Sequence, residues 1–155
     1  MTSKMQYGTH IVRYFYGANA QTTHMDSEKI GTIAMQVNLW ASLGYGLTLF
    51  LVPDVFCDIL DAEKVNTAWL RTIGAALLGT NVVGCWLWLK SPSMDMGRVQ
   101  LATAALEAVA MAVSLMLGEF TANNIWMVQA SVVLAFVVAI ALVPTAKPEM
   151  YQASE

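Results

Sequence analysis

The sequence predicts an all-α polytopic membrane protein, four transmembrane helices in an up-down-up-down antiparallel bundle. Three observations carry this expectation. Apolar residues make up 57% of the 155-residue chain and charged residues only 12%, where soluble domains carry about a half and about a quarter. Four apolar stretches, near 30–52, 67–89, 98–118 and 124–143, are each about 20 residues long, enough to cross a hydrocarbon layer of about 30 Å. The links between them are short, which makes successive spans antiparallel neighbours. A soluble bundle would need a polar face on each helix. Residues 130–143 offer one hydroxyl, Ser131, and no charge.

Residues 1–29 form an N-terminal tail in which Tyr7, Ile11, Val12, Tyr14, Phe15 and Tyr16 surround Arg13. Such a segment is either interfacial, as a short helix on the membrane or on a neighbouring protein, or a flexible solvated tail. His10, Arg13, Gln21 and His24 interrupt every candidate for a secretory apolar core. The first span is therefore expected to act as its own insertion signal.

The domain 30–143 holds the spans. Asp26 and Ser27 are expected to cap the first and Pro53 to end it. An acidic link with Asp54, Asp58, Asp61 and Glu63 follows. Pro92 closes the second span, and the third begins near Arg98. Thr121 is the expected cap of the fourth, Asn123 and Asn124 lie at the same end, and Pro144 stops it, leaving 144–155 as a short C-terminal tail. In this arrangement Lys4, Arg13, Lys29, Lys90, Arg98 and Lys147 fall on one side, against Lys64 on the other. That bias predicts both termini on the cytoplasmic (or matrix/stromal) side.

Two ionisable residues fall inside spans, where each costs roughly 2.5–3.5 kcal/mol to insert. They are Arg71 in the second and Glu107 in the third. At 100° per residue, Gln100, Thr103, Glu107, Met111, Ser114 and Gly118 share one helix face. Arg71, Gly74, Leu78, Asn81 and Cys85 share another. Stripes of small and polar residues are where membrane helices meet. Arg71 and Glu107 are thus expected to form an ion pair, direct or through water, with Asn81, Gln100, Thr103 and Gln36 completing a polar core. That core either fixes helix register or receives a proton or polar ligand. On the first span, Gln36 and Trp40 share a face, and Asn38, Ser42 and Tyr45 share roughly the opposite one.

Much chemistry is excluded. The two histidines, His10 and His24, lie outside the spans, so haem ligation between spans is not expected. Cys57 and Cys85 match neither a zinc motif nor a disulfide framework, and no metal or other cofactor is expected. No nucleophile elbow, P-loop or dinucleotide-binding glycine motif occurs. A net charge of −3 without a basic stripe excludes nucleic acid as a partner.

The run Leu49-Phe50-Leu51-Val52-Pro53-Asp54-Val55-Phe56, then an acidic connection, then Ala68-Trp69-Leu70-Arg71-Thr72-Ile73-Gly74-Ala75, resembles the small, loosely DoxX-like four-helix membrane proteins. The resemblance covers 30–143 in layout and about 49–79 in motif. It implies a four-span bundle, with some relatives serving as accessory subunits of membrane redox systems. The cysteine pair or histidine that would carry a redox role is absent here.

The function expected from the sequence is that of an accessory or scaffold protein without evident catalysis, packing with lipids and with another membrane protein or with itself. The alternative is a binding protein, transporter or enzyme for a hydrophobic ligand, centred on Arg71 and Glu107. A cavity between the spans would favour the alternative, and a dry closed interior the scaffold.

Overall fold

The computed structural model describes residues 5–60, 67–119 and 125–151, with side chains from residue 26 onward. Every element in these residues is helical. Helix α1 runs from Met5 to Leu51 and α2 from Pro53 to Leu60. Helix α3 (Thr67–Leu77) passes through a π-helical turn (Leu78–Val82) directly into α4 (Val83–Lys90). Then come α5 (Met94–Met116) and α6 (Ile125–Leu142), with two 3-10 turns at Val143–Ala146 and Pro148–Met150.

Among the described residues, three continuous helical segments are long and apolar enough to cross a membrane: Thr67–Lys90, Met94–Met116 and Ile125–Ala146. A fourth is completed if Asp26–Leu51 and Pro53–Leu60, bent by 110° at their junction, count as one. The polar residues Gln36, Asn38, Ser42 and Tyr45 make α1 the least apolar of the set. Large apolar side chains lie outward on these helices, among them Leu106, Val133 and Ile140. Water would not tolerate such a surface.

Several helix ends follow from local chemistry. Pro53 cannot continue α1 and instead opens α2. Asp54 and Asp58 therefore sit on a short helix rather than in a loop. Ser93 caps α5, its hydroxyl accepting from the Met96 N–H at 3.4 Å. The other end of α5 closes on Gly118, whose φ of 69° permits paired bonds from Gly118 N–H to Leu115 O and from Glu119 N–H to Ser114 O. Pro144 ends α6 by tightening it into a 3-10 turn. Asp26 and Ser27 do not cap the first span, because α1 continues unbroken from Met5 through both. The expected cap Thr121 lies outside the described residues, as do Asp61, Glu63, Lys64, Asn123 and Asn124.

Helix α1 is the central element, packing against α3, α4 and α6, while α5 packs against α6. Its inward face reads Gly31, Met35, Asn38, Ser42, Gly46, Leu49. The crossing of α1 and α3 is held by two glycines. A Cβ on Gly74 would lie 2.7 Å from Gly46 O and 2.6 Å from Phe50 N, so only hydrogen fits. The packed core lies toward one end and includes Met35, Cys85, Trp88, Ala104, Ala139 and Leu142. That end is closed by the chain after α6. Thr145 is fully buried against Gly97 and Gly31, and Trp88 Nε1 donates to the Tyr151 hydroxyl at 3.0 Å.

Candidate functional site

Where the packed end gives way to the other half, six residues from three helical segments form an open ring of hydrogen bonds. Asn38 Nδ2 donates to Cys85 Sγ at 3.4 Å. The Cys85 thiol donates to Gln100 Oε1 at 3.2 Å, and Gln100 Nε2 donates to the Thr80 carbonyl at 3.1 Å. Asn81 Nδ2 donates to Ser42 Oγ at 3.2 Å and Ser42 Oγ to Asn38 Oδ1 at 3.5 Å, while the Thr80 hydroxyl, 3.1 Å from Asn81 Oδ1, gives its one proton to the Ala76 carbonyl at 2.7 Å. From Asn81 through Ser42, Asn38, Cys85 and Gln100 to the Thr80 carbonyl the donors point the same way, so each bond polarises the next.

Local sequence explains how the ring assembles. The π turn at Leu78–Val82 breaks the α-helical bonding pattern, and the Thr80 carbonyl accepts from Gln100 as well as from the Val83 N–H. Such turns recur at functional sites. Gly84 makes the room, since a methyl there would overlap the Gln100 amide. Asn38 and Ser42 stand one helical turn apart on the inward face of α1. Asn38, Ser42, Asn81, Cys85 and Gln100 are all buried. The ring thereby satisfies groups whose burial alone would cost several kcal/mol.

Glu107 hangs from this ring. Asn81 Nδ2 lies 3.1 Å from its Oε1 and 3.0 Å from its Oε2. The carboxylate also lines a cavity of about 460 Å³, within the range of ligand pockets. Asn38, Ser42, Tyr45, Ser114 and Ser131 supply the other polar lining. The remaining wall is apolar, with Leu49, Phe56, Leu70, Leu77, Met111 and Leu134 prominent. The cavity reaches from α3 to α5, two helices that do not pack closely on each other. Exposed Ile73 and Ala110 border it, so it extends to the apolar flank.

The structure brings Asn81, Gln100 and Glu107 together and leaves Arg71, Thr103 and Gln36 out. No direct Arg71–Glu107 ion pair forms among the described residues, and Arg71 lies exposed. Arg71 stands ten residues before Asn81, about 15 Å along the axis, farther than its side chain extends. Thr103 bonds its own helix at Val99 O, 2.9 Å away. Gln36 points outward beside Val37 and Trp40. Sequence reasoning assigned no site role to Asn38, Ser42, Thr80, Cys85, Tyr45 or Ser131. For Asn38, Ser42 and Tyr45 the signal was present as a shared face of α1. For Thr80 nothing announced the π turn in which it sits.

Among the described residues no group of three histidine, cysteine or acidic side chains could hold a metal ion. The chain matches no family model, no curated protein and no solved structure.

Proposed function

We propose that this chain is a multi-pass integral membrane protein that binds a small lipophilic molecule between its helices. The cavity beside Glu107 is the observation that carries the reading: an apolar chamber with a few convergent polar groups suits a ligand with a hydrocarbon body and a polar head. A dry, closed interior would have favoured the accessory or scaffold role instead. The extension of the cavity to the apolar flank suits entry from the hydrocarbon layer.

Four crossings in up-down-up-down order fit the short links, with α2 bent onto the interface at the end of the first. Lys29, Lys90, Arg98 and Lys147 belong to segments that meet at the closed end around Thr145. Asp54, Asp58 and Glu119 belong to the opposite turns. The cationic end, bearing both termini, is then the cytoplasmic (or matrix/stromal) one. Membrane lipids are its surroundings, and association with another membrane protein or a second copy remains compatible with its outward apolar faces.

Native mass spectrometry of the full chain extracted in a neutral maltoside detergent tests the ligand. The expected spectrum shows a retained small molecule in the wild type that is lost in Ala135→Phe, which fills the cavity wall. A bare wild-type mass, together with no saturable uptake of added lipophile, would remove the basis for the proposal.

A further inference from the structure

The hydrogen-bond capacity left over in the cavity wall says what the ligand's head must bring. Glu107 is the one carboxylate among the lining residues, and no lysine, arginine or histidine lines the cavity with it. Among the described residues, Lys29, Arg71, Lys90, Arg98 and Lys147 all lie exposed. Arg98 pairs with Asp95 at 3.8 Å. The protein itself gives Glu107 a neutral partner, the Asn81 amide, which it shares with Ser42. An ionised carboxylate accepts about four hydrogen bonds, so acceptor capacity remains.

The hydroxyls do not redress this. Ser42 donates to Asn38. Ser131 donates to the Met127 carbonyl, so the short contact between Tyr45 and Ser131 uses the tyrosine's proton. Asn38 spends its amide on Cys85. The Ser114 hydroxyl, seven residues and about 10 Å along α5 from Glu107, and the second Asn38 N–H are the donors left over, so the wall holds one carboxylate and no cation to match it.

Resting on the ligand-binding reading above, we infer that the molecule bound is a lipophilic amine, its ammonium against Glu107 and its hydrocarbon among Leu49, Phe56, Leu70, Ile73, Met111 and Leu134. An ammonium supplies the missing charge and up to three donors. An alcohol supplies one donor and no charge. A fatty acid would set a like charge beside Glu107.

The test uses the full chain in maltoside micelles with radiolabelled decylamine and radiolabelled decanol, each competed by unlabelled decylamine, decanol and decanoate. Decylamine is expected to bind saturably and to compete at least tenfold better than either other head. Glu107→Gln, which is isosteric and keeps a polar partner for Asn81, is expected to lower amine affinity at least tenfold and decanol affinity by less than twofold. Wild-type protein that prefers decanol or decanoate, or a Glu107→Gln variant that keeps the amine preference, overturns the inference while leaving the cavity as a binding site. The head-group comparison on the wild type needs no variant. Saturable binding that Ala135→Phe does not weaken, or no saturable binding of either labelled probe, overturns the cavity reading itself.

Discussion

Both carboxylate oxygens of Glu107 face a single amide nitrogen of Asn81, at 3.1 and 3.0 Å, and that contact joins α5 to the π turn between α3 and α4. Without Asn81 the carboxylate would sit in an apolar wall with no protein donor. Asn81→Leu should therefore destabilise the fold by about 1–3 kcal/mol, the cost of stranding a buried polar group. Replacing both partners, as in Asn81→Leu/Glu107→Leu, should recover part of this, because nothing polar is then left without a bond at that contact. A coupling of about 0.6–1.7 kcal/mol is the scale for polar contacts in membranes. A double-mutant cycle of unfolding in mixed micelles reads it directly. Strict additivity of the two single losses would deny the interaction.

Two glycines, Gly74 on α3 and Gly44 on α1, make opposite predictions. Gly74→Ala drives a methyl to 2.7 Å from Gly46 O and 2.6 Å from Phe50 N. The helices must part, at about 1–3 kcal/mol. Gly44→Ala meets nothing within 4 Å and sits inside a helix, so it should raise stability by up to about 1 kcal/mol. Thermal melting of the monodisperse peak, read by its retained elution volume, separates the two. Equal effects would mean that α1 and α3 do not cross at Gly46 and Gly74.

The contrast between these positions bears on what could be read from residues alone. The three apolar helices after residue 66 and the proline boundaries were legible, because apolar length and the missing proline N–H act locally. The inward face of α5 was nearly legible: Gln100 and Glu107 share the side that meets Asn81 and Cys85, and only Thr103 turned back to its own helix. Arg71 misled because a buried acid in lipid asks for a cation, and sequence spacing does not report the axial offset that keeps the two apart. The ring also depends on a π turn. That turn carries Thr80 and Asn81 to Gln100 and Ser42, and no local pattern around Leu78–Val82 announces it. Gln36 failed for a simpler reason. A helix polar on two sides does not disclose which side faces in.

The orientation makes a labelling prediction. Ser93, Asp54 and Glu149 are all exposed, whereas Cys57 and Cys85 are buried. In sealed vesicles, an impermeant maleimide should leave the wild type unlabelled. It should label Ser93→Cys and Glu149→Cys from the same side and Asp54→Cys from the other. Labelling of Asp54→Cys from the side that labels Ser93→Cys would break the proposed up-down order.

The segment after α6 makes a pH prediction. The Tyr151 hydroxyl donates to the Thr145 carbonyl at 2.7 Å and accepts from Trp88 Nε1. Burial pushes the phenol above its ordinary value of 10.0, and the bond from Trp88 opposes this in part. The sign follows from proton binding. Below pH 10 the phenol is neutral whether the segment is docked or free, so its contribution is fully present. Above pH 10 the free segment ionises while the docked one resists, and stability is lost as pH rises through the docked value. A phenolate could no longer donate to Thr145, which is the physical content of the loss. Tyr151→Phe should cost about 1 kcal/mol at neutral pH, from the bonds it forfeits. It should also remove part of the alkaline decline. Unfolding measured from pH 8 to 11.5 in both proteins isolates this one group, since every other lysine and tyrosine titrates in each. Parallel curves for wild type and Tyr151→Phe would show that the phenol does not hold the closed end together.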